Sequence, residues 1–248
     1  MEDVIRAERL SKSYGGHPAV ENVSITVKRG TVFGLLGANG AGKSTTMECM
    51  LGTKTPDGGT VSILGMNPIT ARKKLFEKVG VQFQEATYQE KITVEELCGV
   101  TQSLYKDAAE YHDLLQRFGI ADKIKSPVRE LSGGQRQRLF VVLALLPNPE
   151  VVFLDELTTG LDTKARRGVW KLLSELKANG LTVFLTSHFM DEVEALCDQI
   201  CILKQGRIVF SGTVREAVAS SPCEKFEDAY LWYAEEEETQ NESIPHDA

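Results

Sequence analysis

A glycine-rich run at residues 37–44 is the first stretch of this sequence whose residue types could do chemistry. It matches the pattern GxxxxGK[ST], with an apolar strand before it and a helix from Lys43 after it. Such a loop curls so that successive N–H groups and the helix N-terminus face one anion. Lys43 then reaches the β and γ phosphates, and the Ser44 hydroxyl holds Mg²⁺. A plain glycine-rich turn is the alternative. The preferred interpretation is a mononucleotide site built by Gly37, Ala38, Asn39, Gly40, Ala41, Gly42, Lys43, Ser44 and Thr45.

Two adjacent carboxylates, Asp155 and Glu156, end a second apolar strand at residues 151–154. Ligands of α/β sheets bind at the carboxyl ends of the strands, so these acids are expected near the phosphate loop. Neighbouring strand residues point to opposite sides, which predicts two different roles. Asp155 is predicted to hold Mg²⁺, directly or through water, and Glu156 to polarise the attacking water as general base. A charge pair at a helix N-terminus is the alternative.

Residues 131–135, Leu-Ser-Gly-Gly-Gln, open a further helix that is expected to run to about Leu146. Their serine and glycines leave the N–H groups of that helix N-terminus exposed, which suits an anion. The run belongs to a segment far along the chain from the phosphate loop. Two anion sites with one nucleotide suggest that the second serves the nucleotide of a partner protomer.

Short apolar segments alternate with helical ones along the chain, which is the pattern of an α/β sheet. Lys204, Gln205 and Gly206 predict a hairpin turn, and Thr213 with Glu216 caps a short helix. The predicted strands are residues 23–27, 31–36, 79–83, 151–154, 182–185, 200–203 and 207–210.

Residues from about 86 to 147 differ in character and predict a helical insert within this α/β frame. Thr93 and Glu96 form a capping box before an amphipathic helix. A second helix is predicted from about 107 to 118, with Gly119 placed to end it. The chain should therefore position its chemistry at strand ends and its second anion site on the insert.

Composition excludes several classes of protein. The 248 residues carry a net charge of -7 and are 42% hydrophobic, which is ordinary for a soluble protein, and no nucleic-acid partner is expected. The longest apolar run, residues 139–146, is far shorter than the ~20 residues of a membrane span. The N-terminus lacks the pattern of a signal peptide. Five scattered cysteines fit a reducing cytoplasm, and Cys197 and Cys201, at helical spacing, are interpreted as two thiols rather than metal ligands.

With these motifs in this order, residues 3 to 215 resemble the ATP-binding subunit of ATP-binding cassette (ABC) transporters. The resemblance implies an α/β fold of the P-loop NTPase type, with a mixed sheet core, an N-terminal antiparallel β subdomain and an inserted helical subdomain. It also implies that ATP and Mg²⁺ are bound. The run that resembles the family signature is Leu131, Ser132, Gly133, Gly134 and Gln135.

The resemblance assigns roles to further single residues. Tyr14 resembles the aromatic residue that stacks on adenine, and Gln84 the glutamine that contacts Mg²⁺ and faces the membrane partner; Gln82 is a competitor for that role. His188 resembles the switch histidine that contacts the γ-phosphate, completing a catalytic set with Lys43 and Glu156. Residues 160–162 resemble the loop that joins two protomers.

One position departs from the family pattern. Leu157 follows the predicted base, where the family usually has proline. Loss of proline frees φ and restores an N–H donor. This could loosen the turn and shift Asp162, but it removes no catalytic group.

The resemblance further implies two cassettes, identical or similar, that pair head to tail around two ATP molecules. Each ATP would lie between one phosphate loop and the other subunit's signature run, and closure would be transmitted to a transmembrane permease. Residues 190–198 and 226–231 resemble exporters of drug, antibiotic or polysaccharide type. The expected place of action is the cytoplasmic face of the membrane. An importer ATPase and a non-transport ATPase with a soluble partner are the alternatives.

The negative charge belongs to one end of the chain. Residues 224–248 hold nine acids and one base, a net of -8, whereas residues 1–223 carry +1. We therefore divide the chain into an ATPase domain, 1–223, and a C-terminal helix with an acidic tail, 224–248. Phe226, Tyr230 and Tyr233 suggest that the helix docks on the core. Beyond residue 235 the tail is predicted to be disordered, with solubility as its favoured role and contact with a basic permease loop as the alternative.

Overall fold

The computed structural model describes residues 2–82 and 88–235. Within them the strands form a three-stranded sheet in the order β2-β1-β4 and a six-stranded sheet in the order β5-β6-β7-β3-β8-β9. The strands are β1 (Asp3–Tyr14), β2 (His17–Lys28), β3 (Val32–Leu36), β4 (Gly58–Ile63), β5 (Val79–Gln82), β6 (Val151–Asp155), β7 (Thr182–Ser187), β8 (Gln199–Lys204) and β9 (Arg207–Gly212).

The smaller sheet is antiparallel throughout, as the resemblance implies for an N-terminal β subdomain. Its strands alternate between buried and exposed residues, because one face packs on the core and the other meets solvent. The register of β1 shifts between Ala7 and Leu10, where Arg9 adopts a positive φ of 50°. This irregularity bends the strand and interrupts its period-two pattern.

The larger sheet is parallel from β5 to β8 and ends in the antiparallel hairpin of β8 and β9. Every residue of β3, β6 and β7 is buried, as expected for parallel strands covered on both faces. Because β3, β6 and β7 are neighbours in the sheet, their carboxyl ends meet at one edge. The mixed α/β fold predicted from the sequence is therefore confirmed, and this edge is where the site lies.

Nine α-helices lie within the described ranges 2–82 and 88–235. The insert between β5 and β6 contributes α3, α4 and α5, together with two short 3₁₀ turns. The helices are α1 (Lys43–Met50), α2 (Arg72–Leu75), α3 (Val94–Ser103), α4 (Tyr111–Arg117), α5 (Gly133–Leu145), α6 (Thr163–Ala178), α7 (Met190–Leu196), α8 (Val214–Ala219) and α9 (Phe226–Glu235).

Several of the helix ends that were predicted from capping patterns are present in the structure. The capping boxes at Thr93 with Glu96 and at Thr213 with Glu216 are both present. The second helix of the insert is shorter than predicted, since α4 begins at Tyr111 rather than near residue 107. It ends just before Gly119, which adopts a positive φ of 64°.

Helix α9 packs against the larger sheet near β8 and β9. Phe226 and Tyr233 of α9 are buried in a cluster with Ile202 of β8. The helical spacing inferred for Cys197 and Cys201 is wrong, because Cys197 caps the end of α7 and Cys201 lies within β8. Among the helices of the described residues, none is both long and apolar enough to cross a membrane.

Candidate active site

The phosphate loop follows β3 and leads directly into α1, as predicted. Gly42, the residue before α1, has a positive φ of 101°, and a Cβ there would lie 2.3 Å from the carbonyl oxygen of Ala19. At Gly37 a Cβ would lie 2.6 Å from the carbonyl oxygen of Leu203. Both positions exclude any side chain, because the loop is pressed against the backbone of neighbouring elements.

Lys43 is buried at the base of this loop. Its ammonium donates to the carbonyl oxygens of Gly37 and Ala38 at 2.7 and 3.1 Å. Burial lowers the pKa of Lys43, while the nearby carboxylates of Glu156 and Asp155 act in the opposite direction. Lys43 also lines the same cavity as Glu156.

The acidic pair ends β6, and its two members have different surroundings. Asp155 is buried and accepts a hydrogen bond from the Thr186 hydroxyl at 2.5 Å. Burial raises the pKa of Asp155, an effect that the Thr186 hydrogen bond and the charge of Lys43 oppose. Glu156 leaves the strand in the left-handed region, with φ at 50°. Such a conformation costs about 1–3 kcal/mol in a non-glycine residue and is common at functional sites.

His188 follows β7 and faces the second acid. Its Nδ1 lies 3.5 Å from Glu156 Oε1, and the Glu156 side chain is only 14% exposed. Both residues border a cavity of about 400 Å³ that opens over the phosphate loop. The structure therefore brings the predicted lysine, serine, glutamate and histidine to one cavity. Its lining residues are Ala19, Asn39, Gly40, Gly42, Lys43, Ser44, Thr45, Glu156 and His188.

The signature run lies elsewhere. Ser132 caps α5, accepting the Gln135 N–H at 3.3 Å, while Gln135 Oε1 accepts the Ser132 N–H at 3.0 Å. A Cβ on Gly133 would lie more than 4 Å from every neighbouring atom within residues 2–82 and 88–235. Among the described residues that line the phosphate cavity, none comes from this run. Within one chain the signature run is thus separate from the phosphate cavity, and its role as a second anion site stays a prediction.

The loop after the acids connects that cavity to the signature helix. Gln137 of α5 donates to the carbonyl oxygens of Glu156 and Leu157 at 3.3 and 3.0 Å. Leu157, at the position of the usual proline, is fully buried. Asp162 caps α6 through the Ala165 N–H at 2.9 Å. The turn is thus tied at both ends, with leucine filling the core.

The resemblance also assigns roles to Tyr14 and Gln84. Tyr14 ends β1 and is 43% exposed, with the ammonium groups of Lys12 and Lys54 at 5.7 and 5.3 Å from its ring centre. It is not among the cavity-lining residues of the described chain. Gln84 lies outside the described residues. Its competitor Gln82 is buried in β5 and donates to the carbonyl oxygen of Asp155 at 3.1 Å.

Two further residues, which the sequence motifs do not indicate, contact the acidic pair or the turn after it. Thr186 contacts both acids, and Gln137 holds the turn that carries Glu156. In the sequence Thr186 is one more β-branched residue in a strand, and Gln137 is one polar residue in a helix. The only available signal for Thr186 is its place two residues before His188 on a strand next to β6.

The donor set fits a divalent cation. Ser44 offers a hydroxyl in the cavity, and Asp155 offers a carboxylate whose pKa is raised by burial, so that a nearby cation would stabilise the charged form. Hydroxyl and carboxylate oxygens are the ligands that Mg²⁺ prefers. These two residues would hold the ion.

The fold and this site define a P-loop nucleotide-binding protein with a helical insert. A family model described as ABC transporter matches residues 20–159, which is more than half of the chain. The chain belongs to this family as an ATP-binding subunit, and it is accordingly an ATPase. The recognition of the family from its sequence motifs is confirmed.

Similar proteins agree with this assignment. Two similar proteins are named Nod factor export ATP-binding protein I. The one from Ralstonia nicotianae is 38% identical over 87% of this chain and 68% of its own length. The one from Sinorhizobium fredii is 40% identical over 84% of this chain and 62% of its own length. The homologous protein of Paraburkholderia xenovorans is 39% identical over 88% of this chain and 74% of its own. The chain thus spans about two thirds of the length of these relatives.

Solved structures support the fold. The ATP-binding subunit of an ABC transporter superposes with a TM-score of 0.84 at 26% identity, covering 93% of this chain and 99% of that one. A dimeric bacterial ABC transporter cassette superposes with a TM-score of 0.78 at 24% identity, covering 84% of this chain and 98% of that one. The second likeness concerns the fold alone.

Proposed function

We propose that this chain powers export through a separate transmembrane permease, by binding and hydrolysing ATP in a head-to-tail pair of cassettes. One observation carries the chemical part of this proposal. Lys43, Ser44, Glu156 and His188 line a single cavity over a phosphate loop. A lysine for the phosphates, an oxygen ligand, a carboxylate base and a histidine are the parts that phosphoryl transfer to water requires.

In the proposed reaction the backbone N–H groups of the loop and the Lys43 ammonium hold the β and γ phosphates. Glu156 accepts a proton from the attacking water as the water oxygen bonds to the γ phosphorus. The bond from that phosphorus to the bridging β-γ oxygen breaks, which yields ADP and inorganic phosphate. His188 contacts the γ-phosphate and the Glu156 carboxylate. Bound Mg²⁺, on Ser44 and Asp155, would neutralise phosphate charge.

The pairing part of the proposal is supported by the signature run. Ser132 and Gly133 are exposed at the N-terminus of α5, which is thirteen residues long. A helix N-terminus attracts anions, and none of the residues that the structure describes would crowd a side chain at Gly133. We infer that this run meets the ATP held by a second cassette, identical or similar. ATP would then contact both halves and favour the closed pair, and loss of the γ-phosphate would release it.

A second surface supports a permease partner. Val100 of α3 and Leu104, the residue that follows this helix, are 58% and 73% exposed, although both are apolar. Leu104 borders a groove of about 470 Å³ with Phe76 and Tyr105, rimmed by the charged side chains of α2. Exposed apolar faces with a polar rim are typical of protein interaction sites. We assign this face to the membrane subunit, at the cytoplasmic side of the membrane, with Gln84 as a further contact.

Export, rather than import, is favoured by the names of the similar proteins, which are export ATP-binding proteins. Isolation of the native complex tests the permease. The expected result is co-purification of an integral membrane protein and ATP-dependent substrate movement out of cells. A stable soluble partner with no membrane protein would refute the transport proposal.

Replacement of the base tests the chemistry. Glu156→Gln keeps the shape of the side chain but removes the carboxylate that accepts the proton. We expect turnover to fall by about 10²–10⁴-fold while ATP binding and pair formation persist. Phosphate release and size-exclusion chromatography with ATP measure the two effects. Glu194→Gln, on the exposed side of α7, is the matched control and should hydrolyse ATP normally. Undiminished hydrolysis by Glu156→Gln would remove Glu156 as the base.

A further inference from the structure

A single buried hydroxyl joins the two acids of the site. Thr186 of β7 is the register partner of Asp155 on β6, so the two residues are direct neighbours across the sheet. The Thr186 hydroxyl donates to Asp155 Oδ1 at 2.5 Å and accepts the backbone N–H of Glu156 at 3.0 Å. Thr186 is 0% exposed, so bulk water does not reach this hydroxyl. It therefore holds the side chain of one acid and the backbone of the other.

We propose that Thr186 is a positioning residue that sets the metal-binding carboxylate of Asp155 and the water-facing Glu156 relative to each other; this rests on the function proposed above. A hydroxyl has one proton, and here that proton is given to Asp155 Oδ1. Oδ1 is thereby turned toward Thr186, and Oδ2 is left to serve a cation. Second-layer hydrogen bonds of this kind orient metal ligands.

The same hydroxyl stabilises the conformation of Glu156. Glu156 has a φ of 50°, which a glutamate rarely adopts, and its N–H points back to Thr186. Without that acceptor the N–H would have to find another partner, and the turn carrying the carboxylate would shift. Thr186 therefore couples the metal-binding carboxylate to the base. Loss of its hydroxyl should affect both the metal dependence of nucleotide binding and the rate of hydrolysis.

The same strand provides a matched control. Thr182, at the start of β7, is also 0% exposed, and its hydroxyl accepts the Gly30 N–H at 2.9 Å. Thr182→Val removes the same atom from the same strand, at the end away from the acids. Thr186→Val and Thr182→Val should therefore lower the thermal unfolding temperature by similar amounts. Thr186→Ser keeps the hydroxyl and tests its role directly.

The experiment measures the dissociation constant of a fluorescent ATP analogue in EDTA and in excess Mg²⁺, together with steady-state ATP hydrolysis. The ratio of the two constants reports what the metal adds, and the value in EDTA reports the phosphate loop alone. For Thr186→Val we expect the ratio to fall by about tenfold or more, the scale of lost second-layer contacts, with the EDTA value unchanged. Hydrolysis should fall by at least the same factor. For Thr186→Ser and Thr182→Val, the ratio of dissociation constants and the hydrolysis rate should both stay within about threefold of wild type.

An unchanged ratio in Thr186→Val would overturn the proposal, whatever happens to the rate. A Thr186→Ser variant that behaves like Thr186→Val would overturn it as well, since the hydroxyl would then not be the active feature. Failure of the proposed function would give a different experimental result. In that case the wild-type chain itself would show no Mg²⁺-dependent gain in nucleotide affinity and no hydrolysis.

Discussion

Two glycine-rich turns in this chain each lead into a helix N-terminus, yet the chain treats them differently. At the phosphate loop two of the glycines are fixed by the chain itself, because a Cβ on Gly42 would lie 2.3 Å from the carbonyl oxygen of Ala19 and one on Gly37 would lie 2.6 Å from that of Leu203. At the signature run, Gly133 has open space around it, and no contact within the described chain requires a glycine there.

The N-terminal caps of α1 and α5 also differ. Among the described residues no side chain caps α1, so its first N–H groups remain available to a ligand held by the loop. The Ser132 side chain caps α5 in a reciprocal box with Gln135, which makes that helix end stable on its own. The phosphate loop is thus shaped by contacts with the backbone of this chain. The signature helix is stabilised by its own cap, with open space at Gly133 among the described residues, although a Cβ on Gly134 would lie 3.2 Å from Leu161. We infer that the second turn is adapted to something outside the chain.

The largest effect that would test this comparison is expected from Gly42→Ala. An alanine there would adopt an unfavourable positive φ and would clash with Ala19, so the loop must move. We expect nucleotide affinity to fall by about 100-fold, the scale on which misplacement by 1 Å is felt. Equilibrium binding of a fluorescent ATP analogue measures it. Gly40→Ala, which has a positive φ but no clash, should lose less. Equal losses would mean that the close approach to Ala19 is unimportant.

A second substitution should separate binding from hydrolysis. Gly133→Ala adds a methyl group where the described chain has open space, so stability should hold or rise by up to about 1 kcal/mol. Nucleotide binding at the phosphate loop should not change. If the partner's ATP approaches this turn, we expect hydrolysis to fall by about tenfold, which is about 1.4 kcal/mol of lost contact. Titration of ATP hydrolysis against protein concentration checks this, because pairing is concentration-dependent.

Gly168→Ala is the control for that variant. Gly168 lies inside α6, and a Cβ there would also be more than 4 Å from any described neighbour. The same gain in helix stability is expected, with hydrolysis unchanged. If both variants kept full activity, the signature run would not face a partner's nucleotide. The difference between the two turns would then have no functional role.

The sequence predicted those parts of the fold that follow local rules. Buried parallel strands such as β6 are continuous apolar runs, and the capping box at Thr93 is a four-residue pattern, so both are readable. β1 was not predicted, because its register shifts near Arg9 and the alternation is broken. The boundary of α4 was missed for a related reason, since a helix end without a side-chain cap leaves no signal.

The site divides in the same way. The phosphate loop and the acids are contiguous motifs, and their convergence follows from the order of parallel strands. Thr186 acts through a hydrogen bond to a residue that is 31 positions away in sequence and adjacent only in the sheet. Knowledge of the register between β6 and β7 was therefore necessary to find it. The roles of Tyr14 and Gln84 remain predictions.

The smallest expected effect concerns the cap of α5. It tests whether Ser132 only stabilises its own helix or also faces ATP. Ser132→Ala removes the acceptor for the Gln135 N–H and should cost about 1 kcal/mol of unfolding free energy. Ser132→Asp preserves a capping oxygen, so its stability should remain near wild type, but it adds a negative charge at a turn inferred to face ATP. Denaturant unfolding and hydrolysis, measured together, should therefore rank the variants in opposite orders. The alanine variant should be less stable and more active, and the aspartate variant more stable and less active. If the two measurements ranked them alike, Ser132 would serve only its own helix, and the second turn would be structural.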